Sequence, residues 1–62
     1  MKLRIKIGTM PVQVVSAPRI RHVPAVGQLV EVREGQAGKL STVLVDQVKN
    51  INGVALFYAS RM

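Results

Sequence analysis

The first seven residues set the tightest limit on the fold. In Met1-Lys2-Leu3-Arg4-Ile5-Lys6-Ile7, apolar side chains alternate with basic ones from Lys2 onward. A period of two belongs to a strand with one buried face; in a helix the same residues would scatter around the axis. Gly8-Thr9 follows, a glycine-first pair suited to the two-residue loop of a type II′ hairpin. A hairpin closed on that pair sets Ile7 opposite Met10, Ile5 opposite Val12 and Leu3 opposite Val14, all apolar. Its other face pairs Lys6 with Pro11, Arg4 with Gln13 and Lys2 with Val15. A slip of one residue would turn the apolar set to water, so the pattern predicts this register. Pro11 has no N–H to donate, so the second strand starts there or lies at an edge.

The rest of the chain also reads as strands and turns. Ser16-Ala17-Pro18 breaks the hairpin, and Arg19 to Pro24 is expected to be extended because Val23 precedes a proline. Val26-Gly27-Gln28 reads as a turn. Leu29 to Arg33 reads as a strand with Val30 and Val32 inward, and Glu34 to Lys39, with two glycines, as a flexible loop. Leu40 to Lys49 is a long Val- and Leu-rich strand. Its alternation slips between Val45 and Val48, which predicts a β-bulge near Asp46-Gln47. Asn52-Gly53 is a type I′ hairpin pair. It leads to Val54-Ala55-Leu56-Phe57-Tyr58-Ala59, apolar on both faces, which is either covered on both sides or meets a partner. No segment sustains helical spacing with caps. Five short strands separated by turns predict an all-β domain spanning residues 1–62, a small barrel or barrel-like sandwich with an N-terminal β-hairpin.

Composition removes several classes of function. A chain of 62 residues has room for one small core, which often needs support from a crosslink, a metal or a partner. There is no cysteine, so disulfides, thiolate metal sites and cysteine nucleophiles are excluded. One histidine and three acids make a metal site with three or four converging ligands an unpromising prospect. No metal or cofactor is expected, and association with a partner or a second copy becomes the favoured source of extra stability. No apolar run approaches the ~20 residues that cross a bilayer, and the alternating N-terminus lacks the apolar stretch of a signal peptide. The expected setting is the cytoplasm, a virion or another intracellular assembly, without membrane contact.

Pro24-Ala25-Val26-Gly27-Gln28-Leu29-Val30-Glu31-Val32, followed by Val43-Leu44-Val45-Asp46-Gln47-Val48, is similar to a pattern in many small SH3-like barrels. There a Pro-x-x-Gly-polar-x-Val element opens a strand and a Val-rich strand returns after a loop. Short proteins of bacteria and their phages often look like this. The resemblance covers residues 23–59 and implies a five-stranded SH3-like barrel, with no particular activity attached. It does not extend to the aromatic-lined groove of SH3 peptide binders, because Phe57 and Tyr58 are the only aromatic residues.

Candidate chemistry is sparse. His22 stands among Arg19, Arg21 and Val23 without an evident orienting acid or nucleophile, and reads as a loop histidine. Glu31, Glu34 and Asp46 form no recognisable catalytic pair; Glu31 is expected to face outward beside Arg33 or Lys39. Gly35 to Lys39 lacks the spacing and the final Ser or Thr of a phosphate-binding loop. No enzyme is expected.

The clearest signal is charge. The net charge is +6, and residues 1–30 carry five cations and no acid. Lys2, Arg4 and Lys6 share one face of the first strand, and Arg19 and Arg21 extend that patch if their segment is also a strand. A row of this kind fits nucleic-acid phosphates or an acidic protein surface, and equally a solvated face that protects against aggregation. So few aromatics argue against a base-stacking platform for single strands, and contact with nucleic acid is expected to be led by phosphates, sensitive to salt and weakly sequence-specific. The alternative is a structural subunit of a phage or multiprotein assembly, a homo-oligomer joined through Leu56, Phe57 and Tyr58 in the apolar last strand.

Overall fold

The computed structural model describes residues 1–35 and 37–62. Five strands follow one another: β1 (Lys2–Ile7), β2 (Gln13–Ser16), β3 (Leu29–Glu34), β4 (Lys39–Ile51) and β5 (Val54–Arg61). Each pairs antiparallel with the next, and β1 pairs parallel with β5, so the sheet closes in a hydrogen-bonded ring. Closure covers the edges that a Val-rich sheet would otherwise offer to other chains. The seam between β2 and β3 is the thinnest, with Ser16 opposite Arg33 its one paired position among the described residues.

Alternation decides what lies inside. Leu3, Ile5 and Ile7 point inward from β1, Val30 and Val32 from β3, Val43 and Val45 from β4, and Phe57 and Ala59 from β5. These residues form one core with Val15 and Ala17. No polar or charged residue among those described is buried. No helix of the described residues is long and apolar enough to cross a membrane.

Three local expectations hold. Asn52 (φ 53°) and Gly53 (φ 78°) form the tight turn joining β4 to β5, with Ile51 opposite Val54. The β4–β5 register shifts between Val45 and Gln47, leaving Asp46 as the extra residue of a bulge. At the start of β3, Gln28 N–H donates to the Ala25 carbonyl at 3.1 Å, and Gly27 supplies the positive φ of 90°. No atom lies within 4 Å of the place a Cβ would take on Gly53, so Gly53→Ala meets only backbone strain. Left-handed geometry costs an L-residue about 1–2 kcal/mol. Thermal unfolding of this variant should show Tm lowered by roughly 4–8 °C per kcal/mol lost.

Other expectations need correction. The segment from Arg19 to Pro24 joins no strand, so the condition under which Arg19 and Arg21 would lengthen the β1 row is not met; Ile20 N–H turns back onto the Ala17 carbonyl at 3.2 Å. The first hairpin keeps its turn and changes its register. Met10 N–H donates to the Ile7 carbonyl at 3.0 Å, with Gly8 at φ 56°, as a glycine-first turn requires. The ladder then resumes one residue out of step, with Leu3 opposite Val15, Arg4 opposite Val14 and Ile5 opposite Gln13. Two forces combine at the turn. Beyond Ile5, β1 also pairs with β5, and Gly8 N–H donates to the Ala59 carbonyl at 2.9 Å. Pro11 holds φ near −65° rather than the −140° of an antiparallel strand, so the chain bends there and absorbs the extra residue. Val15 is therefore 4% exposed, and Val14 is 61% exposed. The glycine-rich loop between β3 and β4 is shorter than expected, since Glu34 and Lys39 both belong to strands; Gln36 within it lies outside the described residues.

Candidate nucleic-acid interface

The ring places the charges on different sides. β1 carries Lys2, Arg4 and Lys6 outward, between β2 and β5, neither of which contains a carboxylate. The acids lie elsewhere: Glu31 and Glu34 on β3, Asp46 in the β4 bulge. Each acid has a partner. Arg19 Nη1 lies 3.2 Å from Glu31 Oε1, so Glu31 faces the β2–β3 loop rather than Arg33 or Lys39. Arg61 holds both oxygens of Glu34, at 2.7 and 2.8 Å. The Ser60 hydroxyl donates to Asp46.

Arg19 and Arg21 do not lengthen the β1 row by strand pairing. They border a separate depression with Ile20, His22 and Gln28, and Arg19 is engaged by Glu31. The row gains a different neighbour. Lys49 of β4 stands over the Tyr58 ring, 5.2 Å from its centroid, and Tyr58 pairs with Lys6 across the parallel β1–β5 ladder. Lys6 also donates to the Gly8 carbonyl at 2.9 Å. Of the three residues expected at an apolar interface, Phe57 turns into the core, while Leu56 and Tyr58 stay half-buried.

The register change alters the character of this surface. Val12 and Val14, expected inward, are exposed beside the cations, and so are Ile51 and Val54 at the tip of the β4–β5 hairpin. Two open depressions result. One, of about 510 Å³, is bordered by Lys2, Arg4, Val14, Val23 and Val54 among others. The second, of about 430 Å³, lies among Arg4, Val12, Ile51, Asn52, Val54 and Leu56. Arg4 and Val54 border both, and neither contains a carboxylate. Sequence reasoning found the cations and missed these apolar walls, because Val12 and Val14 fit an inward strand equally well.

No family model, curated protein or solved structure matches the chain. No group of three or more His, Cys, Asp or Glu residues that could hold a metal ion occurs among the described residues.

The Glu34–Arg61 pair belongs to stability. The Arg61 guanidinium holds the Glu34 carboxyl below the usual carboxylate range; partial burial opposes this, and Ser41 and Lys39 add to the lowering. A carboxyl lowered in the folded state favours folding above its unfolded pKa of about 4.3, and that contribution is lost as pH falls through the lower folded value. Arg61 is half exposed, so solvent screens the pair and it contributes at most about 1 kcal/mol. Glu34→Gln should therefore be less stable than the parent at pH 7 and equal to it in strong acid, as read from urea midpoints at both pH values.

Proposed function

We propose that the chain is a non-enzymatic binding module, an SH3-like barrel, whose β1 face contacts the phosphates of nucleic acid. The observation that carries this reading is the row Lys2, Arg4 and Lys6 on one outward face, flanked by strands without a carboxylate. A strand rises about 3.3–3.4 Å per residue, so neighbouring cations in the row stand about 6.6–6.8 Å apart. Phosphate contacts of this kind release counterions, so affinity falls steeply with salt. The parent protein should bind a labelled oligonucleotide at low salt, by fluorescence anisotropy, and lose it progressively as salt is raised. Absence of binding at low salt would overturn the reading. Binding to an acidic protein instead would assign the row to protein docking.

Self-assembly is the competing use of the same apolar residues. Two copies meeting on this face would bring two basic rows together without an acid to offset them, and like charges in contact oppose association. Sedimentation velocity at low salt, where that repulsion is least screened, should accordingly show a monomer.

A further inference from the structure

We infer that one end of the ring is a binding site for a small carboxylic acid, whose carboxylate is recognised by Gln13 and Lys39 beside the Glu34–Arg61 pair. This site is separate from the β1 face and does not depend on it. The argument starts from alternation. Residues opposite one another in an antiparallel ladder share a face, and so do residues two apart on one strand. Gln13 lies opposite the core residue Ile5 and two before the core residue Val15. Glu34 lies two beyond Val32, Ser41 two before Val43, and Arg61 two beyond Ala59. The inward rows of β2, β3, β4 and β5 therefore each turn polar. These polar residues meet around one depression of about 410 Å³, which Met10 and Lys39 also border. Elsewhere the core is covered by apolar side chains, those of Ile20, Val48 and Ala55.

Hydrogen bonds divide the polar groups in two. Arg61 donates to both oxygens of Glu34, at 2.7 and 2.8 Å, and reaches Met10 Sδ at 3.2 Å. That pair is a satisfied frame. Gln13 is different: its amide nitrogen is buried and meets no acceptor. Lys39 forms no ion pair among the described residues. A polar end that only met water would leave its donors in water, and a buried donor is costly unless something accepts from it.

The unmet groups define the ligand. Both are donors, so the ligand has to bring an acceptor. Arg61 and Lys39 against Glu34 leave one net positive charge, which suits a monoanion. An ionised carboxylate accepts only and carries a single charge. A phosphate would bring nearly two charges up to Glu34. An amine would bring further donors and a charge that Lys39 repels. The mouth of a small barrel is a common place for a site of this kind.

The test titrates isotope-labelled protein with sodium acetate, and with sodium chloride and sodium phosphate at matched ionic strength and pH, followed by NMR. Acetate should move the side-chain amide resonances of Gln13 along a saturating curve, and the backbone amides of Ser41 and Arg61 with them; chloride should not. Gln13→Met keeps the length of the side chain and removes its donor. It should weaken acetate binding by at least about tenfold, as read from Ser41 and Arg61. Lys39→Gln, at an exposed strand end, should keep the fold and weaken acetate binding about two- to fivefold. A blocked peptide carrying one glutamate should bind no tighter than acetate. No movement with acetate, or equal movement with chloride, would overturn the inference. Tighter binding of phosphate would overturn the carboxylate assignment, and tighter binding of the peptide would overturn the small-molecule one. Unchanged acetate affinity in Lys39→Gln would remove Lys39 from the site and overturn the charge argument.

Discussion

Val15→Asp is expected to abolish the cooperative thermal transition, while Val14→Asp, one residue earlier, should shift Tm by no more than a few degrees. Val15 lies in the core opposite Leu3; Val14 faces water opposite Arg4. A carboxylate in an apolar interior has its pKa raised by as much as 3–5 units; at neutral pH this costs about 4 kcal/mol, because a group raised past neutrality takes up a proton instead. The lost burial of a valine adds about 1.5–3 kcal/mol. Total stability at this length is roughly 3–9 kcal/mol, so little or no folded protein should remain. At position 14 the new carboxylate sits across the ladder from Arg4, where opposite charges stabilise by about 0.2–1 kcal/mol. The register inferred from alternation predicts the reverse pattern, with Val14→Asp the damaging change. Thermal unfolding followed by circular dichroism therefore decides between the two registers.

The second large effect concerns binding. Changing Lys2, Arg4 and Lys6 together to Gln should weaken binding to a single strand by at least about tenfold at low salt, and more if each contact is fully formed. The plot of log affinity against log salt should become shallower by about 2, since each single-strand phosphate contact contributes about 0.7 to the slope. All three side chains project outward, and outward substitutions of this kind change stability by about 0.5 kcal/mol or less. Arg19→Gln with Arg21→Gln, which removes two charges where the triple change removes three, is the control. Arg19 is tied to Glu31, and both arginines border a different depression, so this pair should leave the salt slope near that of the parent. If the control pair proves as damaging as the triple change, the effect is one of net charge and the β1 row has no special part in it.

The thin seam between β2 and β3 bears on both experiments. β2 is the shortest strand, and it is held mainly by β1. Gln13 and the valines exposed by its register are thus carried on the part of the ring with the fewest ladder bonds. Variants at Gln13 should be compared with the parent well below its Tm, so that local opening of β2 is not mistaken for loss of binding.

Much of the fold was legible because its signals are local. The period-two run from Lys2 to Ile7, the Asn52-Gly53 turn, Gly27 ahead of β3 and the slip around Asp46 each depend on residues within a few positions. Steric and hydrogen-bonding rules at that range act the same way in any chain. The basic row was legible for the same reason, since alternation alone places Lys2, Arg4 and Lys6 on one face.

The pairing of β1 with β5 was not legible. Ile5 and Phe57 meet from opposite ends of the chain, and no local signal encodes a parallel partner. The β2 register was ambiguous in itself, because Val12 and Val14 form one consistent apolar set and Val15 and Ala17 form another. Alternation determined that β2 would have a buried face. Which set it buried was decided only when β5 drew Ile7 and Gly8 to its own side and Pro11 bent the chain to take up one residue. The sequence by itself thus determined the strands, the main turns and the cations. Ring closure decided that Val15 enters the core and that Val14 stands beside Arg4, because a strand shared between two neighbours must satisfy the hydrogen bonds of both.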